Sequence, residues 1–175
     1  MDCRLLLRHR CDHVADTGPA YRKKNGTTAD ITESSLACEH PCELMKAAWY
    51  ERQGAAGDVL VLGEMEDAQP RAGEVRIRVA FSGVNPGDIK KREDSFHVGM
   101  PYPRVIPHSD SSGIVDEVGE GVPREWIGRR VWCYGAQSYR PFGTAAEYTV
   151  VRSQQVVQIL DHVPLEQGAC LGIPA

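Results

Sequence analysis

The segment "GEVRIRVAFSGVNPGDIKKR", residues 73–92, carries the strongest structural signal in this 175-residue chain. Its first half alternates apolar residues with mostly polar ones, the pattern of a strand with one buried and one solvated face. The apolar set is Val75, Ile77, Val79 and Phe81. In the second half, Asn85 fits a helix N-cap, Pro86 the first helical position and Asp88 the acidic position of a first turn. The segment therefore predicts a strand that leads into a short helix.

Further apolar runs of strand length occur on both sides of this segment, each bounded by glycine, proline or charged residues. They are "VLVL" at 59–62, "SGIVDEV" at 112–118, "RRVWCYG" at 129–135, "AAEYTVV" at 145–151 and "QVVQIL" at 155–160. Helical periodicity is nearly absent, and only Pro164 with Glu166 indicates a second helix start. Short strands at this spacing predict a mainly β fold, a small barrel or sandwich with one or two short helices.

The composition changes at Met45. Residues 1–44 hold four of the six cysteines but only one of the twelve aromatic residues, so they cannot build a core of their own. We therefore predict a disordered extension over 1–44, a folded domain over 45–160, and a truncated helix start over 161–175. A zinc site in the extension is a disfavoured alternative, because its two groups of ligands are far apart and share no hydrophobic scaffold. Those ligands would be Cys11, His13, Cys38, His40 and Cys42.

Charge and hydropathy argue against two classes of partner. A formal net charge of −4 provides no basic field for nucleic acid. No run approaches the about 18 apolar residues of a membrane span. Cys133 and Cys170 lie in apolar sequence and are predicted to be small core residues, which suits a reducing compartment. We expect a soluble, cytoplasmic protein that binds neither nucleic acid nor a membrane.

A dinucleotide-binding fingerprint is absent from the sequence. The nearest candidate, "VGEGVPREW" at 118–126, has Gly119 and Gly121, but Pro123 and Arg124 follow where a helix with a third glycine should begin. The segment instead predicts a turn that joins two strands. Phosphate-binding loops and nucleophile elbows are also absent.

Five segments, taken in order, resemble the N-terminal half of a zinc-independent medium-chain dehydrogenase/reductase of the NADPH:quinone reductase type. They are "MKAAWYERQG", "GEVRIRVAFSGVNPGDIKKR", "PYPRVIPHSDSSGIVDEVGEGV", "GRRVWCYG" and "FGTAAEYTVV". The resemblance covers residues 45–175. It implies a partly open, GroES-like β-barrel that full-length members pair with a Rossmann domain holding NADPH, and it allows a homodimer in those members. The Rossmann domain is essentially absent from this sequence.

The resemblance also bears on metal binding. Zinc-dependent relatives carry a cysteine ligand in a G-x-C-x-x-D pattern and a histidine ligand in a Gly-His-Glu triplet. Here Asn85 occupies the cysteine position, and the triplet position reads His108, Ser109, Asp110. Because His108 is one residue out of register, its ring is expected to point the other way on a strand-like backbone. We therefore predict no catalytic metal and regard His108 as a bystander.

Without a metal, hydride transfer to a quinone or enone needs donors for the charge that develops on the carbonyl oxygen. The resemblance places Asn85 beside the nicotinamide and the substrate carbonyl, although a plain helix cap is the alternative role. Lys90 stands where several quinone reductases carry a tyrosine, and it is the second catalytic candidate. Its alternative is a solvated helix face formed by Lys90, Lys91 and Arg92.

Other residues near this site are assigned supporting roles. We expect Asp88, Ser109 and Asp110 to be structural, with Asp88 serving the start of the helix. Tyr102 and Tyr139 either line a substrate cleft or pack among the neighbouring prolines. A small-molecule quinone or enone is the expected substrate, and NADPH is the expected cofactor.

Three functional readings remain open at the level of sequence. The first is the substrate-side domain of an NADPH-dependent quinone or enone oxidoreductase, truncated and inactive on its own. The second is a non-catalytic GroES-like module that binds a partner. The third, a fragment of a zinc alcohol dehydrogenase, is disfavoured by the residues at the ligand positions.

Overall fold

The computed structural model describes residues 44–138 and 140–173. The predictions made for residues 1–43, including the disordered extension and its zinc alternative, lie outside these residues, as does Tyr139. The strands are β1 (Leu44–Trp49), β2 (Val61–Glu66), β3 (Glu74–Gly83), β4 (Asp110–Val118), β5 (Arg130–Cys133), β6 (Tyr148–Arg152) and β7 (Val156–Gln158). The α-helices are α1 (Ala56–Val59), α2 (Pro86–Arg92) and α3 (Leu165–Gly168), and single 3₁₀ turns span Arg124–Trp126 and Ser153–Gln155.

Among the strands that the structure describes, all pairings are antiparallel, and these strands form two sheets. The larger sheet has the order β6-β3-β4-β5-β7, and β1 pairs with β2 in a separate two-stranded sheet. Neither sheet closes on itself, so the predicted mainly β, partly open architecture is confirmed. Within the described residues, no helix is long and apolar enough to cross a membrane.

The core lies on the inner face of the larger sheet. Val75 and Ile77 of β3 are fully buried, as the alternating pattern predicts. They pack with buried side chains of neighbouring strands, which include Val115, Val131, Cys133, Val151 and Val156. Burial of each such aliphatic side chain contributes about 1.5–3 kcal/mol, so this cluster is the main support of the sheet. A smaller cluster around Ile106 holds β1 in place.

The alternation predicted for β3 fails at its carboxyl end. Val79 and Phe81 pair with consecutive residues of β4, so Ala80 is an extra residue in the strand. A bulge of this kind moves the following side chains to the opposite face. Phe81, predicted to be buried, is therefore 39% exposed. Ser82 instead turns towards the interior, where it forms the hydrogen bonds described below.

The C-terminal segment corrects a second prediction. Helix α3 is a single turn that packs on the larger sheet through Gly168, where a Cβ would clash with Ile159. Ser112 of β4 fixes the turn by donating to the carbonyl of Leu165 at 2.5 Å. Cys133 is fully buried as predicted, but Cys170 is exposed, because the chain turns outward after the buried end of α3.

Candidate functional site

The start of α2 is held by a capping box. Asn85 has an extended backbone and lies at the N-cap position, as predicted. The side chains of Asn85 and Asp88 each face the other residue's backbone N–H, and the carboxyl of Asp88 accepts the backbone N–H of Asn85 at 2.8 Å. Burial raises the pKa of Asp88, and the bond from Asn85 partly opposes this rise. The side-chain oxygen of Asn85 thus faces the helix start, and its Nδ2 group is left for another role.

That amide is oriented by Asp110. Asn85 Nδ2 donates to Asp110 Oδ2 at 2.9 Å, and both residues are buried. Asn85 Oδ1 faces the backbone N–H of Asp88 in the capping box, whereas Nδ2 keeps a second proton. The oriented amide can therefore offer one donor to a ligand.

Asp110 joins three parts of the domain. It is the first residue of β4, and its Oδ2 also accepts the backbone N–H of Ile173 at 2.8 Å. A Cβ on Gly172 would lie 2.2 Å from Asp110 Oδ1, so only glycine allows the chain to approach this closely. The segment that follows α3 is consequently fastened to the start of α2 through one carboxyl group.

A chain of hydroxyl groups fixes the ring of His108. Thr144 Oγ1 donates its single proton to the backbone carbonyl of Asp110 at 2.8 Å. Ser82 Oγ, 2.8 Å from Thr144 Oγ1, must therefore donate to it. Ser82 has no proton left, so His108 Nδ1, 2.9 Å away, must donate to Ser82. Assigned from this network, neutral His108 is the Nδ1–H tautomer with a lone pair on Nε2.

The strand-like backbone assumed for His108 is wrong. Its φ is +72°, in the left-handed region, and β4 begins two residues later. Side-chain alternation therefore does not set its direction, and the ring reaches the end of β3. Burial lowers the pKa of His108, while the nearby Asp88 carboxyl acts in the opposite direction. That His108 takes no part in binding a metal stays a prediction.

A cleft of about 470 Å³ opens at the other end of α2. Its wall includes Lys90 and Lys91, together with Tyr50, Gln53, Asp94, Phe96, Val98, Met100, Tyr102, Val105 and Gln137. Lys90 is exposed, whereas Lys91 Nζ donates to Gln137 Oε1 at 2.8 Å. Arg92 is buried and bonds to the carbonyl of Gly54. The alternative of a three-residue solvated helix face is therefore wrong for Arg92, whereas Lys91 is half-buried.

The structure brings together part of the predicted site. Asn85, Asp88 and Asp110 form one bonded group, while Lys90 lies apart at the cleft. Ser109 is fully buried and its Oγ has no hydrogen-bond partner among the described residues. In that part of the chain, no three histidine, cysteine, aspartate or glutamate side chains converge as a metal site. The predicted absence of a bound metal nevertheless stays a prediction.

Sequence reasoning missed three residues of this site. Ser82 and Thr144 were not singled out, although they connect His108 to Asp110. Ile173 was also missed, although its backbone N–H binds Asp110. The β3 bulge and contacts distant in sequence produce these positions, and no local pattern signals them.

Comparisons with known proteins assign the described domain to a family. Residues 71–161, just over half of the chain, match the alcohol dehydrogenase GroES-like domain family. Quinone oxidoreductase of Rattus norvegicus is 33% identical over 107 residues, which cover 60% of this chain and 30% of the rat protein. Alcohol dehydrogenase 1 of Pisum sativum is 40% identical over 67 residues, covering 38% of this chain and 17% of the plant protein.

A solved structure supports the same assignment. Quinone oxidoreductase of Pseudomonas syringae pv. Tomato DC3000 matches with a TM-score of 0.65 and 26% identity, covering 74% of this chain and 38% of that chain. This chain therefore spans well under half the length of these relatives. With the open antiparallel sheets, the family match shows that the chain belongs to the alcohol dehydrogenase GroES-like domain family.

Proposed function

We propose that this chain forms the substrate-side domain of a cytoplasmic, NADPH-dependent quinone or enone oxidoreductase. The observation that carries the proposal is the side-chain amide of Asn85, which Asp110 holds at 2.9 Å while the second Nδ2 proton stays unused by the described residues. The relatives named quinone oxidoreductase support the choice of substrate class.

The residues present fit one end of the cofactor. NADPH, when bound, supplies the hydride. Asn85 would lie beside its nicotinamide end, because its amide is buried and held in one orientation by Asp110. Its one unused proton is then left for the substrate carbonyl. The sequence contains no glycine-rich turn for a pyrophosphate, so this chain would need a separate cofactor-binding domain.

The chemistry left to this chain is stabilisation of developing charge. Hydride addition to a quinone or enone places negative charge on the carbonyl oxygen, and a donor fixed in advance stabilises that charge without reorganising. The bond to Asp110 prevents rotation of the Asn85 amide, and Asp88 holds the backbone from which it projects. Both bonds are buried, so water does not compete with them.

We further propose that the reaction uses no zinc. Asn85 and Ser109 occupy the positions at which zinc-dependent relatives carry the cysteine and histidine ligands, and amide and hydroxyl groups bind zinc poorly beside cysteine and histidine. The carboxyl of Asp110 already accepts hydrogen bonds from Asn85 and Ile173. Elemental analysis of residues 45–175 should find less than one zinc per ten chains. One zinc per chain would favour the alcohol dehydrogenase alternative.

The function is tested by joining residues 45–175 to the cofactor-binding part of the rat quinone oxidoreductase. The fused protein should oxidise NADPH in the presence of 1,4-naphthoquinone or an activated enone, while the unfused chain should not bind NADPH in calorimetry. A folded fusion that binds NADPH and reduces neither substrate would favour the non-catalytic module. NADPH binding by the unfused chain would contradict the need for a separate cofactor domain.

A further inference from the structure

We propose that the cleft at the carboxyl end of α2 binds a small amphipathic anion, an aromatic or aliphatic ring system that carries a carboxylate, sulfonate or phosphate. The inference rests on the proposed function in taking this ligand as the substrate. It adds a charge requirement that neither the family nor the named relatives supply.

The size and walls of the cleft suit a small molecule with an apolar body. Its volume of about 470 Å³ falls in the range of small-ligand sites. Phe96 and Val98 line it while 56% and 80% exposed, so large apolar side chains face solvent around a concave surface. Met100 and Val105 extend the same wall. Exposed apolar surface arranged around a concavity is typical of a binding site.

The charge of the cleft is positive. Lys90 forms no ion pair or side-chain hydrogen bond with the described residues. The ammonium of Lys91 donates to the neutral amide of Gln137 and also acts electrostatically on the buried Asp88 carboxyl, which does not line the cleft. Within the described part of the wall, Asp94 is the only acidic residue. Its Oδ1 already accepts the backbone N–H groups of Val98 and Gly99, each at 3.0 Å. Lys90 and Lys91 together with the carboxylate of Asp94 give the cleft wall a formal charge of +1, which a bound anion would neutralise.

Position alone does not join this cleft to Asn85. Lys90 follows Asn85 by five residues, which corresponds to about 7.5 Å along a helix axis and about 140° around it. Asn85 is buried and is not among the residues that line the cleft. The assignment of this ligand as substrate therefore rests on the proposed function, whereas the charge requirement rests on the lysines of the cleft.

The test uses the full 175-residue chain and two ligands of matched shape, anthraquinone-2-sulfonate and 2-(hydroxymethyl)anthraquinone. Binding is followed by tryptophan fluorescence and by NMR shifts of the cleft residues. The sulfonate should bind about fivefold more tightly than the uncharged alcohol. In Lys90→Gln this ratio of affinities should fall about threefold, the scale of one exposed ion pair. Added salt should weaken the binding of the sulfonate and leave the binding of the uncharged alcohol unchanged. The control is Lys46→Gln, which changes an exposed lysine outside the cleft and should leave both affinities unchanged.

Equal affinity for the two ligands, no binding of either, or a preference that survives Lys90→Gln would overturn the inference. The outcomes also separate it from the proposed function. If both anthraquinones bind equally and the fused enzyme reduces quinones, the charge requirement is wrong and the function stands. If the Lys90-dependent preference appears but the fusion has no activity, the cleft is confirmed as an anion site and the function is wrong.

Discussion

The buried start of helix α2 and the exposed Lys90 in its last turn are built in opposite ways. At its start, Asn85 and Asp88 are buried and their bonds lie inside the domain. At its carboxyl end, Lys90 is exposed and has no partner among the described residues. A buried, bonded amide can hold one orientation, which a reacting centre requires. An exposed ammonium attracts charge without fixing geometry, which suits recognition of a substrate tail.

The largest predicted effect tests the buried end. Replacing Asp110 by Ala leaves the N–H groups of Asn85 and Ile173 without their acceptor in a buried site. The free energy of unfolding should fall by about 3 kcal/mol, because each buried N–H donor left without an acceptor costs about 1–3 kcal/mol. Urea denaturation measures the change.

An acidic residue elsewhere on the surface supplies the control for this experiment. Asp161 is exposed and its side chain forms no ion pair or hydrogen bond with the described residues, so Asp161→Ala should change stability by less than about 0.5 kcal/mol. Equal stability of the two variants would show that Asp110 does not join the segments as described.

A medium effect is expected from His108, which lies beside the buried end. Its pKa is lowered in the folded state, so the unfolded chain binds more protons between that lowered value and the ordinary value of 6.5. Stability should therefore fall as pH drops through about 6.5 towards the lowered pKa. The raised pKa of Asp88 acts in the opposite sense, since its contribution is lost as pH rises through that value. Comparing wild type with His108→Gln at each pH isolates the histidine.

The tautomer of His108 offers an independent check. Nitrogen-15 NMR at pH 8 should show the proton on Nδ1 in the wild-type chain. Ser82→Ala removes the acceptor of that proton and should shift the population towards Nε2–H. A wild-type ring protonated on Nε2 would mean that the chain of hydroxyl groups runs in the other direction.

The smallest effect is expected at the exposed end. Lys90→Gln should change the free energy of unfolding by less than about 0.5 kcal/mol, because an exposed, unpaired side chain contributes little to stability. The same variant should weaken binding of the anthraquinone sulfonate. A loss of stability comparable to that of Asp110→Ala would remove the contrast between the two ends.

The sequence predicted those parts of the molecule that depend on neighbouring residues. The alternation before Ala80 and the proline after Asn85 are local signals, and β3 and the start of α2 follow from them. Strand β1 was missed because Leu44–Trp49 shows little alternation and depends on pairing with β2. Exposure of Cys170 depends on where a one-turn helix ends. Such features are set by tertiary contacts that a local pattern does not contain.

The candidate site divides in the same way. Asn85 was identified through the register of the family resemblance, but its bond to Asp110 joins residues 25 positions apart. The contact of Ser82 with Thr144 spans 62 positions. It also requires the β3 bulge, which reverses the face of Ser82. The sequence could therefore name the central residue of the site but not the bonds that orient it.

The central claim is that Asn85, oriented by Asp110, is the donor used in the reaction. Its most direct test is kcat/KM for NADPH-dependent reduction of 1,4-naphthoquinone by the fusion of residues 45–175 with a cofactor-binding domain. Asn85→Ala should lower kcat/KM about tenfold or more, the scale of one lost transition-state donor. His108→Ala should change it little. A fused enzyme that keeps its activity with Asn85→Ala and loses it with His108→Ala would contradict the account.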